Sequence, residues 1–279
     1  MKNLIYLLLL LPSFFQKEVP AIQTKAFEIN PSPFIIDIRN HYLKHEVTDQ
    51  DSKKGRELLI QMQNASGGKE NWQAHKRGTF IQKADWYGKL KMSHWDTLPQ
   101  LYQLSCELGK NEGDLTYLNG PNSGTVWRVD NGSCYSMPEN GEPQLKENKI
   151  AQHKIEFKSY WFQFPFRISE AEFVSYAGET TIDGVDYELV YATWGSEKAN
   201  KQYDQFILYL NKKTHFTEQL HFTVREVSNA ISFTARFDGF NTFDGITLPT
   251  SQYITKGRPE GKGRIKFHEN HYTSITFGN

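Results

Sequence analysis

Apolar and polar residues alternate with a period of two along most of the chain from Thr79 onward, as in strands that are buried on one face. In the segment HFTEQLHFTV, Phe216, Leu220, Phe222 and Val224 fall on one face, and Thr217 lies with the polar residues of the other face. The segment ISFTARF repeats this alternation, and short turns such as DNG and DG separate the runs. The pattern predicts an antiparallel meander of roughly ten strands with one apolar side.

Two segments have the spacing of helices instead. The first begins with Thr48 and Asp51, which resemble a capping box, and ends at the glycine pair 67–68. The second covers residues 150–162 and must end or kink at Pro165. Beyond Pro165 we expect an extended chain. The fold class predicted is mainly β (α+β), with helices covering the sheet.

The first residues have the layout of a secretory signal peptide. Lys2 supplies a positive charge, Leu4 to Leu11 form a short apolar run, and Pro12 breaks it. The run is shorter than the roughly 20 apolar residues of a membrane-spanning helix, so we expect a protein that does not span the membrane. The organisation predicted is a signal peptide over residues 1–21, an irregular segment over 22–47 and a single domain over 48–279. The protein is then periplasmic or otherwise exported.

Charge and motifs point away from several function classes. The chain has 32 basic and 32 acidic residues, whereas nucleic acid is bound by a basic surface. No nucleophile elbow, zinc-protease helix, Walker loop or dinucleotide fingerprint is present. The glycine-rich GRPEGKGR lacks the phosphate-loop spacing and reads as a hairpin loop. Asp183 and Asp244 stand before glycines, where turn chemistry is the first explanation. We therefore expect no enzyme, with an envelope hydrolase as a remaining alternative.

Histidine and cysteine do not predict a cofactor. His41 and His45 are four residues apart, but a zinc site needs a third ligand, so no metal site is expected. Cys106 lies on an apolar strand face with Tyr102. It and Cys134 form either two buried free thiols or a disulfide between neighbouring strands.

A family resemblance appears when these segments are taken in order. A helix ending in NASGGKENW is followed by SGTVWRVDNG, DGVDYELVY, FILYLNKKTHFTEQLHFT and FDGITLPTSQY. Over roughly residues 50–279 the chain resembles the LolA/LolB-like exported proteins of bacteria, especially their lipoprotein-sorting-like branches. The resemblance implies a curved antiparallel sheet that forms an incomplete barrel, helices over its open side and an apolar concave face. The best-known members hold the acyl chains of lipoproteins in that cavity.

The stretch YWFQFPFRI, residues 160–168, is unusually aromatic. Its rings either belong to the core, where each stabilises the fold by about 1.5–3 kcal/mol, or form a lid over an apolar cavity. We expect Phe164 and Phe166 on one side of an extended chain. The candidate ligand-binding residues are Trp161, Phe162, Phe164 and Phe166 from this stretch, and Phe206, Leu208, Leu220, Phe222, Val224, Ile231 and Phe233 from the sheet.

The predicted function is non-catalytic binding of a lipid or acyl chain, possible lipoprotein carriage included. The predicted partners are a hydrophobic ligand or a lipoprotein, with an envelope protein as a further possibility. The alternative is a structural or interaction module of the cell envelope with a filled core.

Overall fold

The computed structural model describes residues 34–87, 99–225, 228–261 and 265–278. The predicted signal peptide, residues 1–21, lies outside these residues, as does part of the glycine-rich loop. No helix in the described part is long and apolar enough to cross a membrane.

Thirteen strands of the described chain form one sheet, in the order β6-β5-β4-β3-β2-β1-β13-β12-β11-β10-β9-β8-β7. The strands are β1 (Arg77–Trp86), β2 (Gln100–Glu107), β3 (Gly113–Tyr117), β4 (Val126–Asp130), β5 (Ser133–Met137), β6 (Gln144–Leu145), β7 (Phe173–Ile182), β8 (Val185–Thr193), β9 (Gln205–Asn211), β10 (Thr217–Val224), β11 (Ser228–Phe243), β12 (Ile246–Lys256) and β13 (Lys266–Gly278). The first and last strands of this order are not paired with each other, so the sheet is not closed. The mainly β fold class with an incomplete barrel is confirmed.

The helices are α1 (Arg39–Tyr42), α2 (Asp49–Ala65), α3 (Lys69–Gln73), α4 (Lys149–Phe162) and α5 (Phe164–Arg167), followed by a 3-10 turn, Ile168–Glu170. The chain divides into two compact units. Among the described residues, unit 1 comprises 73–87, 99–164 and 268–278, and unit 2 comprises 34–72, 165–225, 228–261 and 265–267. That residues 48–279 act as a single domain stays a prediction.

In unit 1, helix α4 packs against strands β2 to β5. Asn148 caps its start by accepting a hydrogen bond from the Ala151 amide at 3.1 Å. The buried side of the helix includes Ile155 and Ser159, and the Ser159 hydroxyl contacts Cys106 Sγ at 3.2 Å. The buried side of the helix thus combines small and apolar side chains with polar ones such as Glu156.

In unit 2, helix α2 packs on β7 and β8. Its start is the predicted capping box: Thr48 accepts from the Asp51 amide, and the Asp51 carboxylate accepts from the Thr48 amide. It ends before Gly67 and Gly68, whose φ angles are +110° and +84°. These conformations favour glycine, which explains why the helix stops here.

Three hairpins use the same two-residue turn. Asn131-Gly132, Asp183-Gly184 and Asp244-Gly245 all have positive φ at both positions and join strands directly paired on either side. This is the turn type that matches the twist of an antiparallel pair. The two aspartates thus lie in turns, as their sequence context predicted.

Two expectations are decided by this architecture. Cys106 in β2 and Cys134 in β5 are both buried free thiols, because β3 and β4 separate their strands. The expected extended chain after Pro165 is wrong. Phe164 to Arg167 form the short helix α5 instead, since proline is accommodated in the first turn of a helix.

Candidate functional site

Six of the seven sheet residues predicted to line a site lie on one face of unit 2. In the register of β9 and β10, Leu208 lies opposite Leu220 and Phe206 lies opposite Phe222. In the register of β10 and β11, Phe222 lies opposite Phe233. These five side chains are at most 4% exposed, Val224 is buried, and Ile231 is partly exposed. Val224 continues the same alternation. Ile231 alternates in phase with Phe233, but the register shift near Val224 leaves Ile231 without an assigned partner on the neighbouring strand.

Helix α2 covers part of this face. The Lys54 ammonium reaches the Glu188 carboxylate at 3.1 Å, and Glu188 is paired with Leu210, two residues from Leu208 on the same strand. A β-bulge before Gln219 also turns Thr217 to this side, where its hydroxyl contacts Met62 Sδ at 2.9 Å. The bulge corrects the simple alternation, which placed Thr217 on the opposite face.

A row of aromatic rings crosses this face of unit 2. Neighbouring ring centroids are 5.9 Å apart for Trp194 and Phe206, 6.3 Å for Phe206 and Phe222, and 5.9 Å for Phe222 and Phe233. Phe267 adds a fifth ring, 5.9 Å from Phe233. The first and last rings are only partly buried, whereas the three between them are buried. The row is a continuous apolar surface with two accessible ends.

The opposite face of the same strands is covered by the segment before α2. Tyr42 donates to or accepts from His221 Nδ1 at 2.7 Å, and the Tyr209 hydroxyl contacts the Tyr42 hydroxyl at 2.9 Å. Ile38 and Tyr42 are buried in a cluster with Tyr191 and Tyr209. Of the segment predicted as irregular, residues 34–47 are described, and Ile38 and Tyr42 among them belong to the core of unit 2. The apolar run FIIDI, residues 34–38, was the only feature of the sequence that pointed to this burial.

The hydrogen bonds that link His221, Tyr42 and Tyr209 are suited to holding the segment before α2 in place rather than to catalysis. Burial, and then the positive charge of Arg258, lowers the pKa of His221 to about 3, so its ring is neutral at pH 7. Burial raises the pKa of the Tyr42 and Tyr209 hydroxyls above the ordinary tyrosine value. A general base is most effective with a pKa near the working pH, and none of these groups meets that condition.

The aromatic stretch begins in unit 1 at the end of α4. Phe162 stacks on Phe80 with centroids 4.3 Å apart, and lies 5.9 Å from the ring of Phe277. Trp161 stacks on Phe164 at 5.5 Å. All of these predicted site rings are at most 8% exposed, so Phe162 fills the core of unit 1 over Gly78.

Gln163 fixes the end of this helix. Its side-chain amide donates to the carbonyls of Glu107 and Lys110 at 3.2 and 2.8 Å and accepts from the Gly109 amide at 2.6 Å. It is fully buried, so the three bonds satisfy a polar group that would otherwise destabilise the core. This role of Gln163 was not predicted, because in the sequence the residue stands among aromatic side chains.

The last predicted ring of the stretch, Phe166, belongs to unit 2. It stacks on Trp72 with centroids 4.2 Å apart and planes 10° apart. The Gln63 amide reaches the Phe166 carbonyl at 3.5 Å. Trp72, which follows the double glycine, is therefore the partner of the aromatic stretch within this unit.

The Cys106 thiol and the two histidines considered as metal ligands, His41 and His45, each have a role within the fold. Burial raises the pKa of the Cys106 thiol to about 12, which keeps it protonated. Among the residues described, no group of three histidines, cysteines or carboxylates could hold a metal ion. His45 instead pairs with Asp51, and His41 contacts Arg258.

Comparison with known proteins gives likenesses of structure. No protein-family model and no curated protein matches the sequence. The structure is similar to a DUF1329 family protein from Desulfovibrio piger, with a TM-score of 0.50 and 14% identity over 81% of this chain and 93% of that one. It is also similar to a domain described as an outer membrane lipoprotein-sorting protein from Vibrio parahaemolyticus, with a TM-score of 0.47 and 12% identity over 81% and 93%.

A LolA superfamily protein from Nitrosomonas europaea has a TM-score of 0.44 and 12% identity over 84% of this chain and 95% of that one. At these identities the likeness concerns the fold. The likeness to the Desulfovibrio piger protein, at 14% identity, shows a shared fold alone.

Proposed function

We propose that the protein is a non-catalytic binding protein of the periplasm or another exported compartment, which holds a lipid or acyl chain on the apolar face of unit 2. The ligand is a free lipid or the lipid group of a lipoprotein. The observation that carries the proposal is the row of five rings from Trp194 to Phe267, with its two half-buried ends.

The dimensions of the row suit an acyl chain. Strands lie about 4.8 Å apart, so the six strands from β8 to β13 extend over about 24 Å. A hydrocarbon chain laid along this direction meets aromatic or aliphatic carbon at each strand from β8 to β11. Rings bind such a chain without polar partners, and each CH₂ removed from water contributes about 0.8 kcal/mol.

Burial of the central rings supports a second candidate function. Phe206, Phe222 and Phe233 are each 4% exposed, which is the condition of a core that is already filled. In that case the protein is an interaction module of the cell envelope, and the rings serve stability alone. A ligand must therefore reach the row from Trp194 or Phe267, or displace the chain that covers its centre.

Native mass spectrometry of the full chain, purified from the envelope fraction of its host, separates the two functions. The lipid carrier predicts a stoichiometric acyl species that organic solvent extracts. After delipidation, a fluorescent fatty acid should bind again and quench tryptophan emission. A protein that is isolated bare and then takes up neither fatty acid nor lipopeptide would leave the interaction module as the function.

Two matched variants place the ligand. Phe267→Ala removes a half-buried ring at the end of the row and should weaken fatty-acid binding several-fold. Phe216→Ala removes another half-buried ring, which stacks on Phe240 outside the row with centroids 4.5 Å apart, and should leave the affinity unchanged. Equal affinities for both variants and the unaltered protein would remove the row from the site.

A further inference from the structure

The aromatic row of unit 2 leads to a lysine. The register that aligns Phe222 with Phe233 places Lys256 opposite Phe233 on the next strand. Lys256 is the last residue of β12, and Ile254, two positions earlier, lies on the same face of that strand. The apolar face therefore carries a positive charge at the point where the row reaches the end of β12.

The charge of Lys256 is not used within the fold. The residue is exposed, and in the part of the chain that the structure describes its side chain forms no hydrogen bond and no ion pair. Its backbone amide donates to the Ile265 carbonyl at 3.3 Å, which holds the end of β12 beside the chain that leads into β13. Ile265 is 62% exposed and Phe267 is partly buried. The lysine thus stands beside apolar side chains that a ligand can still reach.

The connection between β12 and β13 is basic. Residues 256–266, KGRPEGKGRIK, contain five basic side chains and one acidic side chain, so their net charge is +4. The acidic residue, Glu260, accepts a hydrogen bond from Tyr209, and Arg258 contacts His41 Nδ1 at 2.7 Å, both on the opposite face of the sheet. A cluster of charges of one sign raises the local concentration of ions of the other sign. The connection therefore attracts anions to this end of the row.

Charges near the other end of the row are engaged within the fold. The Glu172 carboxylate accepts a hydrogen bond at 2.8 Å from the amide of Gly195, the residue after Trp194. The Arg56 guanidinium donates to the backbone carbonyls of Ser169 and Glu172 at 3.3 and 2.8 Å. An anionic group would meet a carboxylate there, so the Trp194 end suits the uncharged part of a ligand.

We propose that the ligand of the apolar face is an anionic single-chain amphiphile. Its oxyanion head, a carboxylate or a phosphate, pairs with Lys256, and its tail runs along the row towards Trp194. This inference rests on the proposed function, since it names the class and the orientation of the same ligand. From β12 to β8 the tail crosses four strand spacings, about 19 Å. Apolar contacts then bind the body of the ligand, and one polar group orients it.

Four ligands that share a tail and differ in the head test the proposal on the delipidated full chain. They are dodecanoate, dodecyl phosphate, dodecanol and dodecyltrimethylammonium, each below the concentration at which it aggregates. Both anions should bind about threefold to fivefold more tightly than dodecanol, as an exposed ion pair allows, and the preference should shrink with added salt. The cation should bind most weakly. The relative affinity of the two anions tells a carboxylate ligand from a phosphate ligand.

Variants at the two ends of the row give the orientation. Lys256→Met should abolish the preference for the anions and leave the affinity for dodecanol unchanged. Lys256→Glu, a second variant of the same exposed residue, should make the cation bind more tightly than the anions. Lys198→Met is the matched control. It removes the same charge from an exposed residue four positions after Trp194 and should keep the preference.

The outcomes separate this inference from the function on which it rests. If none of the four ligands binds, the proposed lipid-binding function fails, and the inference fails with it. If dodecanol binds as tightly as the anions, or if Lys256→Met keeps the preference, the apolar site stands and the anionic head is refuted. Loss of the preference in Lys198→Met but not in Lys256→Met would overturn the orientation.

Discussion

Substitution of Gly78 by alanine should destabilise the protein, because the ring of Phe162 occupies the place of the new methyl group. A Cβ at Gly78 would lie 2.5 Å from Phe162 Cε1 and 3.1 Å from Cζ. The ring cannot easily retreat, since it is 6% exposed and stacked on Phe80 at 4.3 Å. Overpacking of this kind costs about 1–3 kcal/mol, and lost ring stacking adds about 0.5–1.5 kcal/mol.

Chemical denaturation measures the effect, and Gly278→Ala is the control. Gly278 also lies on a strand, paired with Arg77, but a Cβ there meets nothing within 4 Å. Since alanine restricts the unfolded chain, this control should be neutral or more stable by about 0.4–1 kcal/mol. We expect the free energies of unfolding of Gly78→Ala and Gly278→Ala to differ by about 1.5 kcal/mol or more.

A double-mutant cycle isolates the contact between Gly78 and Phe162. Phe162→Leu removes part of the ring, so it should cost less in the Gly78→Ala background than in the unaltered protein. A coupling above about 0.5 kcal/mol is the expected result for residues in contact. Additive effects, or a Gly78→Ala protein as stable as Gly278→Ala, would refute the packing argument.

Three other substitutions have defined outcomes. Gly55→Ala places a Cβ 2.8 Å from the Ser175 carbonyl carbon, so α2 must move and the free energy of unfolding should fall by about 2–3 kcal/mol. Thr48→Ala removes the α2 cap and should cost about 1 kcal/mol in a thermal melt. Burial lowers the pKa of Lys158 in the folded protein from the ordinary lysine value of 10.5 to about 7. The unfolded protein therefore binds more protons at this side chain, and the unaltered protein gains stability as the pH rises from 7 to 10.5. Unfolding at pH 7 and 9 should show this gain, about 2 kcal/mol, and Lys158→Met should lack it.

The apolar side of the sheet was predictable because strand alternation is a local property. Alternation alone placed five residues on the face where the strand register has them: Phe206, Leu208, Leu220, Phe222 and Phe233. Their identity as ligand-binding residues stays a prediction, because period two reports burial and not what a side chain is buried against. The bulge near Thr217 escaped notice for the same reason, since it depends on the neighbouring strand.

Long-range contacts were beyond the sequence. Tyr42 contacts His221 across 179 positions, and Gln163 closes the β2–β3 turn from 53 or more positions away. In each case the side chain is polar and sits in a segment that pattern analysis reads as irregular or aromatic. Only the fold shows which polar groups converge.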